Sequence, residues 1–176
     1  MLLCVQGFLD KVCDILLKVK LRQHQGTPRN LCVVLMFDDV YLAKDISYDN
    51  AEDKIIGPHS RVNVMLLRGL FANYKIPIWY RYDHVLRKTE YLDIITKIEN
   101  AGFHVVSSTC DMAKSNQSLA TALGVTAETP YFENPCRPGS NIYWFFDPVH
   151  LVKLIRNHLI DQGFFLRGIE INWSLM

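Results

Sequence analysis

The stretch LCVVLMFDDV, residues 31–40, runs through seven apolar residues and then meets two aspartates. A run that apolar has no solvent face, so as a strand it belongs in the middle of a sheet with both faces covered. Two further runs end the same way: FHVVSSTC (103–110) stops at Asp111, and IYWFF (142–146) stops at Asp147. One aspartate after a strand is ordinary turn or helix-cap chemistry. Three in one chain ask for a common cause.

The segments between these runs set the order of elements. Leu2, Val5, Phe8, Leu9, Val12, Ile15, Leu16 and Val19 recur at three- and four-residue steps, which predicts an N-terminal helix with one apolar stripe. GTPRN (26–30) is a loop, so residues 1–30 read as a helix and linker ahead of a domain spanning 31–176. After the first strand, the polar YDNAEDK predicts a hairpin excursion. RVNVMLLRGLF and KIPIWYRYD then predict an antiparallel meander. TEYLDIITKIENAG has Tyr91, Leu92, Ile94, Ile95 and Ile98 on a helical period and stops at Gly102. A DMAKSN loop and a short helix, QSLATALG, follow the next strand, and PYFENPCRPGS is expected to be irregular. Pro148 suits a helix's first turn, and the helix after it should turn Leu151, Leu154, Ile155 and Leu159 inward. The order is β-β-β-α-β-α-β-α, that of an RNase H-like mixed α/β sheet with flanking helices.

In a sheet of that order the first strand lies beside the strand that follows the first helix. Asp38 and Asp111 then become neighbours although they are far apart in sequence. Adjacent carboxylates repel unless a cation sits between them, and hard divalent ions prefer oxygen ligands. Two Mg²⁺ ions roughly 3.5–4 Å apart can activate an attacking hydroxyl and stabilise the leaving oxygen of a phosphodiester. The plainer reading, that each aspartate caps a turn, stands beside this one. For Asp147 the cap reading is favoured over a third oxygen ligand, because Pro148 follows it. Asp39 should point away from Asp38 by strand alternation.

Composition narrows the classes. A chain of 176 residues suits one domain with a real core. A formal net charge of +1 gives no chain-wide basic footprint, so any nucleic-acid contact has to be local. Lys114, Arg137, Lys153, Arg156 and Arg167 form a modest basic set open to phosphate, with a solvated face as the default. Five scattered cysteines without a CxxC pair read as free thiols. No run approaches the ~20 apolar residues of a membrane span, and no GxxxxGK[ST] loop is present for a nucleotide. His150 and His158 lack a Cys or His partner nearby and read as packing or surface residues. Trp79, Tyr80, Tyr82, Trp144 and Phe146 read as packing aromatics.

The local words carry a resemblance. FDDVYLAKDISYD, LLRGLFANYKIPIWYRY, GFHVVSSTCDMAKSNQSLATALGV, YFENP and WFFDPVHLVKLIRNHL, in that order, resemble the catalytic domain of P-element transposases. That family includes transposase-derived proteins with THAP zinc fingers. The likeness covers about residues 31–165. It implies that Asp38 and Asp111 are the first two catalytic, metal-holding aspartates, with Asp39 where the family often has Glu and Val149 in place of a second proline. It also implies Mg²⁺ or Mn²⁺ as cofactor, transposon-end DNA as partner, and a nuclear location. The family uses GTP, but its GTP-binding insertion and last acidic ligands are expected beyond Met176. The expected function is therefore that of a transposase fragment, its chemistry being metal-dependent DNA cleavage and strand transfer, inactive alone. Uncovered apolar surface should favour self-association or docking with further transposase polypeptide. The alternative is a domesticated or truncated module that binds DNA or protein without catalysis.

Overall fold

A computed structural model describes Gly7, Phe8, Asp14, Ile15, Lys18, Val19, residues 28–50 and residues 53–171. Its centre is a seven-stranded mixed sheet. In chain order the strands are β1 (Gly7–Phe8), β2 (Cys32–Tyr41), β5 (Arg61–Gly69), β6 (Lys75–Tyr82), β7 (His104–Cys110), β8 (Tyr131–Glu133) and β9 (Asn141–Phe146). A separate hairpin, β3 (Ser47–Asp49) and β4 (Lys54–Ile56), is the predicted excursion. The spatial order is β1-β6-β5-β2-β7-β9-β8. β2, β5 and β6 form the expected antiparallel meander, and β7 and β9 join parallel on the other side of β2. Helices α1 (Lys88–Asn100), α2 (Lys114–Leu123) and α3 (Pro148–Asp161) follow β6, β7 and the β8–β9 pair.

One face of this sheet makes the core. Alternation along β2 turns Val33, Leu35 and Phe37 inward, all buried, against Met65 and Leu67 of β5. α1 lays Tyr91, Ile94, Ile95 and Ile98 over them, the stripe its 3.6-residue period predicts. Val34 and Met36 on the opposite face are only half-buried. The expectation of two fully covered faces therefore holds for one face among the described residues.

β7 carries one irregularity that sets the site. Val33 pairs with Val105, but Val34 pairs with Ser107, so Val106 is an extra residue in the ladder. Burial follows the shift: Val105 is inward, and the inward phase resumes at Ser108 and Cys110.

Four sequence expectations need correction. The N-terminal helix does not run through Gly7 and Phe8, which pair antiparallel with Tyr80 and Trp79, Gly7 holding a φ of +119° that side-chain-bearing residues rarely adopt. Asp14, Ile15, Lys18 and Val19 are helical, with Ile15 and Val19 against the core, and the rest of that predicted helix lies outside the described residues. α2 begins at Lys114, so the Lys-Ser-Asn expected in a loop forms its first turn. The proline-rich stretch contains β8, an edge strand fixed by pairing with β9 rather than by local propensity. α3 buries none of its residues: Leu151 and Leu159 are half-covered, while Leu154 and Ile155 are exposed. Its apolar stripe follows helical period, but it stays largely open among the described residues. β10 (Phe164–Leu166) and β11 (Ile169–Ile171) then form a short hairpin. No described helix is long and apolar enough to cross a membrane.

Candidate active site

The three strand-ending aspartates share a single cause. Phe37 of β2 pairs with Cys110 of β7, and Cys110 pairs with Phe146 of β9. The residue after each partner is an aspartate, so Asp38, Asp111 and Asp147 continue one row across the carboxyl ends of three parallel strands. Neighbouring strands lie about 4.8 Å apart, which makes Asp38 and Asp111 close neighbours. Ligand sites in open α/β sheets gather at this end of the strands.

Asp38, Asp111, Asp147 and His150 line one cavity of about 330 Å³, with Met36, Val64, Leu66 and Thr109 in its walls. Asp39 does not join them. Alternation turns it to the other face, where its Oδ2 accepts from Arg61 Nη1 at 2.9 Å. Its Oδ1, like the Oδ1 of the facing Asn63, is buried with no hydrogen-bond partner among the described residues.

Each candidate ligand has one oxygen held by the protein. Asp38 Oδ1 accepts the Asp39 backbone N–H at 2.8 Å. Asp111 Oδ1 accepts Ala113 N–H at 3.0 Å and Asn116 Nδ2 at 2.6 Å. Among the described residues neither Oδ2 takes a hydrogen bond. Asp147 Oδ1 likewise accepts a backbone N–H, that of Val149 at 2.9 Å, here as the N-cap of α3, with Pro148 at the first helical position. Its Oδ2 lies 3.9 Å from His150 Nε2. The cap reading of Asp147 matches this geometry.

Burial and neighbouring carboxylates set the electrostatics of this cavity. Asp38 is partly exposed as a residue, yet burial of its carboxyl raises its pKa. Asp111 and Asp39 push the same way, while the Asp39 N–H bond and His150 oppose. Burial, with Asp111 and Asp38 beside it, pushes the Cys110 thiol far above its usual range. The folded state therefore binds the Asp38 proton more tightly than the unfolded chain does. Its contribution to stability is present below the ordinary value of 3.8 and is lost as pH rises through the raised folded value. Asp38→Asn is thus expected to raise the melting temperature at neutral pH, with little gain below pH 3.8. An unchanged or lowered melting temperature at pH 7 contradicts this.

Among the described residues no three His, Cys, Asp or Glu side chains converge as a ready-made cage. Two carboxylates with a free oxygen each still suit Mg²⁺, which keeps most of its waters and takes one or two protein carboxylates. The donor set fits such an ion.

Sequence reasoning missed two residues here. His150, read as packing or surface, lines the cavity, and its placement in the first turn after the Asp147 cap was the available signal. Asn116, expected in the DMAKSN loop, stands in the first turn of α2 and donates to Asp111. Of the basic set, Arg137 is committed to Glu99 at 3.0 Å rather than open to phosphate.

Comparison with known proteins gives concordant matches. A family model described as TNP-like, RNase H N-terminal domain matches residues 4–124. The chain is 32% identical over 168 residues to the Transposable element P transposase of Drosophila melanogaster, covering 94% of this chain and 21% of that protein. It is 29% identical over 129 residues to the human DNA transposase THAP9, covering 65% of this chain and 14% of that protein. A solved Drosophila P element transposase strand transfer complex superposes with a TM-score of 0.83 at 29% identity, over 96% of this chain and 37% of that one. The chain therefore spans less than a quarter of either curated relative.

Proposed function

The chain belongs to the family of TNP-like RNase H N-terminal domains, and from that premise we propose that it supplies the first two metal-holding carboxylates of a P element-type DNA transposase. The observation that carries the reading is the row Asp38–Asp111, each residue with one free oxygen at a shared cavity. A divalent cation held there, Mg²⁺ or Mn²⁺, supplies Lewis-acid activation of a phosphodiester and of the hydroxyl that attacks it. Asp38 and Asp111 would hold it through the oxygens left free. The Asp39 N–H and Asn116 orient those carboxylates, and the imidazole of His150 offers a ring N–H to a phosphate oxygen at the cavity mouth. DNA is the substrate in this reading, in keeping with the name of the human relative, DNA transposase THAP9, and the nucleus its place of work.

Two carboxylates suffice for one hydrated ion and not for the two-ion clamp of in-line displacement. The 176 residues alone are therefore expected to bind a cation without cutting transposon ends. No described residue set is assigned to GTP. The exposed apolar side of α3, with Val149 75% and Val152 66% accessible, is taken to be covered by further transposase polypeptide or a second copy.

The test is Mn²⁺ titration followed by electron paramagnetic resonance. One ion per chain is expected, with Asp38→Ala and Asp111→Ala each weakening affinity by about tenfold or more, the loss of one charged ligand. A chain that binds no Mn²⁺, or variants that bind as well as the parent, would overturn the reading.

A further inference from the structure

We infer that Asn116 is a positioning residue that commits Asp111 to a single free oxygen. The inference rests on the two-carboxylate reading above and deepens it. An aspartate that merely forms a turn needs one donor, and Ala113 N–H provides that at 3.0 Å. Asn116 adds a second from outside the turn. It sits in the first turn of α2, is 7% exposed, and donates Nδ2 to the same Oδ1 at 2.6 Å. A buried amide is costly unless paired, and a hydrogen bond onto a carboxylate is among the stronger pairings open to it. Its own backbone is fixed by Asn116 N–H donating to Ala113 carbonyl oxygen at 2.9 Å, so the side chain starts from a defined point.

Two donors occupy both lone pairs of Asp111 Oδ1. The other oxygen takes no hydrogen bond among the described residues. A cation therefore meets Asp111 through one oxygen only, which leaves the ion room for waters or a phosphate. Without Asn116 the carboxylate regains rotation about its last bond. It can then offer both oxygens to one ion or swing away from Asp38.

The experiment has a metal-free arm and a metal arm. In the metal-free chain, the Asn116 side-chain NH₂ should give a resolved nuclear magnetic resonance signal that exchanges slowly with water and collapses in Asp111→Ala. In the metal arm, Asn116→Leu and Asn116→Ser should each weaken Mn²⁺ binding about tenfold, the size of one charge-assisted hydrogen bond. The serine variant serves if the leucine variant folds poorly. An amide exchanging at the solvent rate in the unaltered chain overturns the assignment. So does Mn²⁺ binding with unchanged affinity in the folded variants, which leaves the two-carboxylate site standing. Mn²⁺ silence in the unaltered chain overturns both readings together.

Discussion

Tyr91→Ala is expected to cost roughly 3–5 kcal/mol, the range for deleting a buried aromatic ring. Tyr91 is fully buried in α1. Its ring lies 5.9 Å from Phe37, 5.9 Å from Trp144 and 6.2 Å from Phe132, all tilted or edge-on, the arrangements aromatic quadrupoles favour. The hydroxyl hydrogen-bonds Ser108 Oγ, so truncation also leaves that buried group unpartnered, at about 1–3 kcal/mol more. Against a typical stability of about 5–15 kcal/mol the variant sits near unfolding. Tyr91→Phe keeps the ring contacts and should lose only about 1–3 kcal/mol. Guanidinium denaturation of both variants separates ring from hydroxyl; equal losses would show that packing contributes little. The site is sensitive to this cluster because Phe37 is the residue immediately before Asp38.

Glu99→Ala should cost a comparable amount for a different reason. The Glu99 side chain is 5% accessible and accepts Val105 N–H at 2.9 Å, Asn134 Nδ2 at 2.8 Å and Arg137 Nε at 3.0 Å. It ties the end of α1, the start of β7 and the loop between β8 and β9 into one knot. Removing one partner of such a buried charged set costs about 3–5 kcal/mol, because the remaining donors lose their acceptor. Glu99→Gln should lose less, since one amide oxygen still serves Val105 and Asn134. The knot lies at the opposite end of β7 from Asp111, so the folded fraction of Glu99→Ala should bind Mn²⁺ as tightly as the parent. Chemical denaturation and Mn²⁺ titration on the same sample read both expectations. A variant as stable as the parent would mean the carboxylate is replaceable by water.

The strands and the acidic row were legible because each run is apolar to its last residue and then stops at Asp. Their adjacency followed from element order alone. The other features depend on what touches what. β8 hides in a proline-rich stretch because Tyr131 and Phe132 are held by Tyr143 and Ile142, not by local preference. The stripe of α3 looks like any buried helix, for periodicity identifies an apolar face without saying whether anything covers it. Asp39 reads like a twin of Asp38, and only Arg61, 22 positions away, distinguishes its role. His150 stands in the word WFFDPVH yet reads as a packing residue, since its place at the cavity comes from the Asp147 cap aiming the first turn of α3.

The extra residue at Val106 makes β7 unequal in its tolerance of length change. Deleting Val106 would remove the bulge and leave the Phe37–Cys110 pairing as it is. Deleting one residue from 107 to 110 comes to the same length, so Val106 can enter the ladder opposite Val34 and Asp111 keeps its place. A second deletion would bring Asp111 opposite Phe37, facing the core, with its carboxylate on the wrong side of the sheet. An insertion has no such reserve and would carry it past the end of the row. Among relatives of this chain that bind metal, β7 should therefore be found one residue shorter more often than one residue longer.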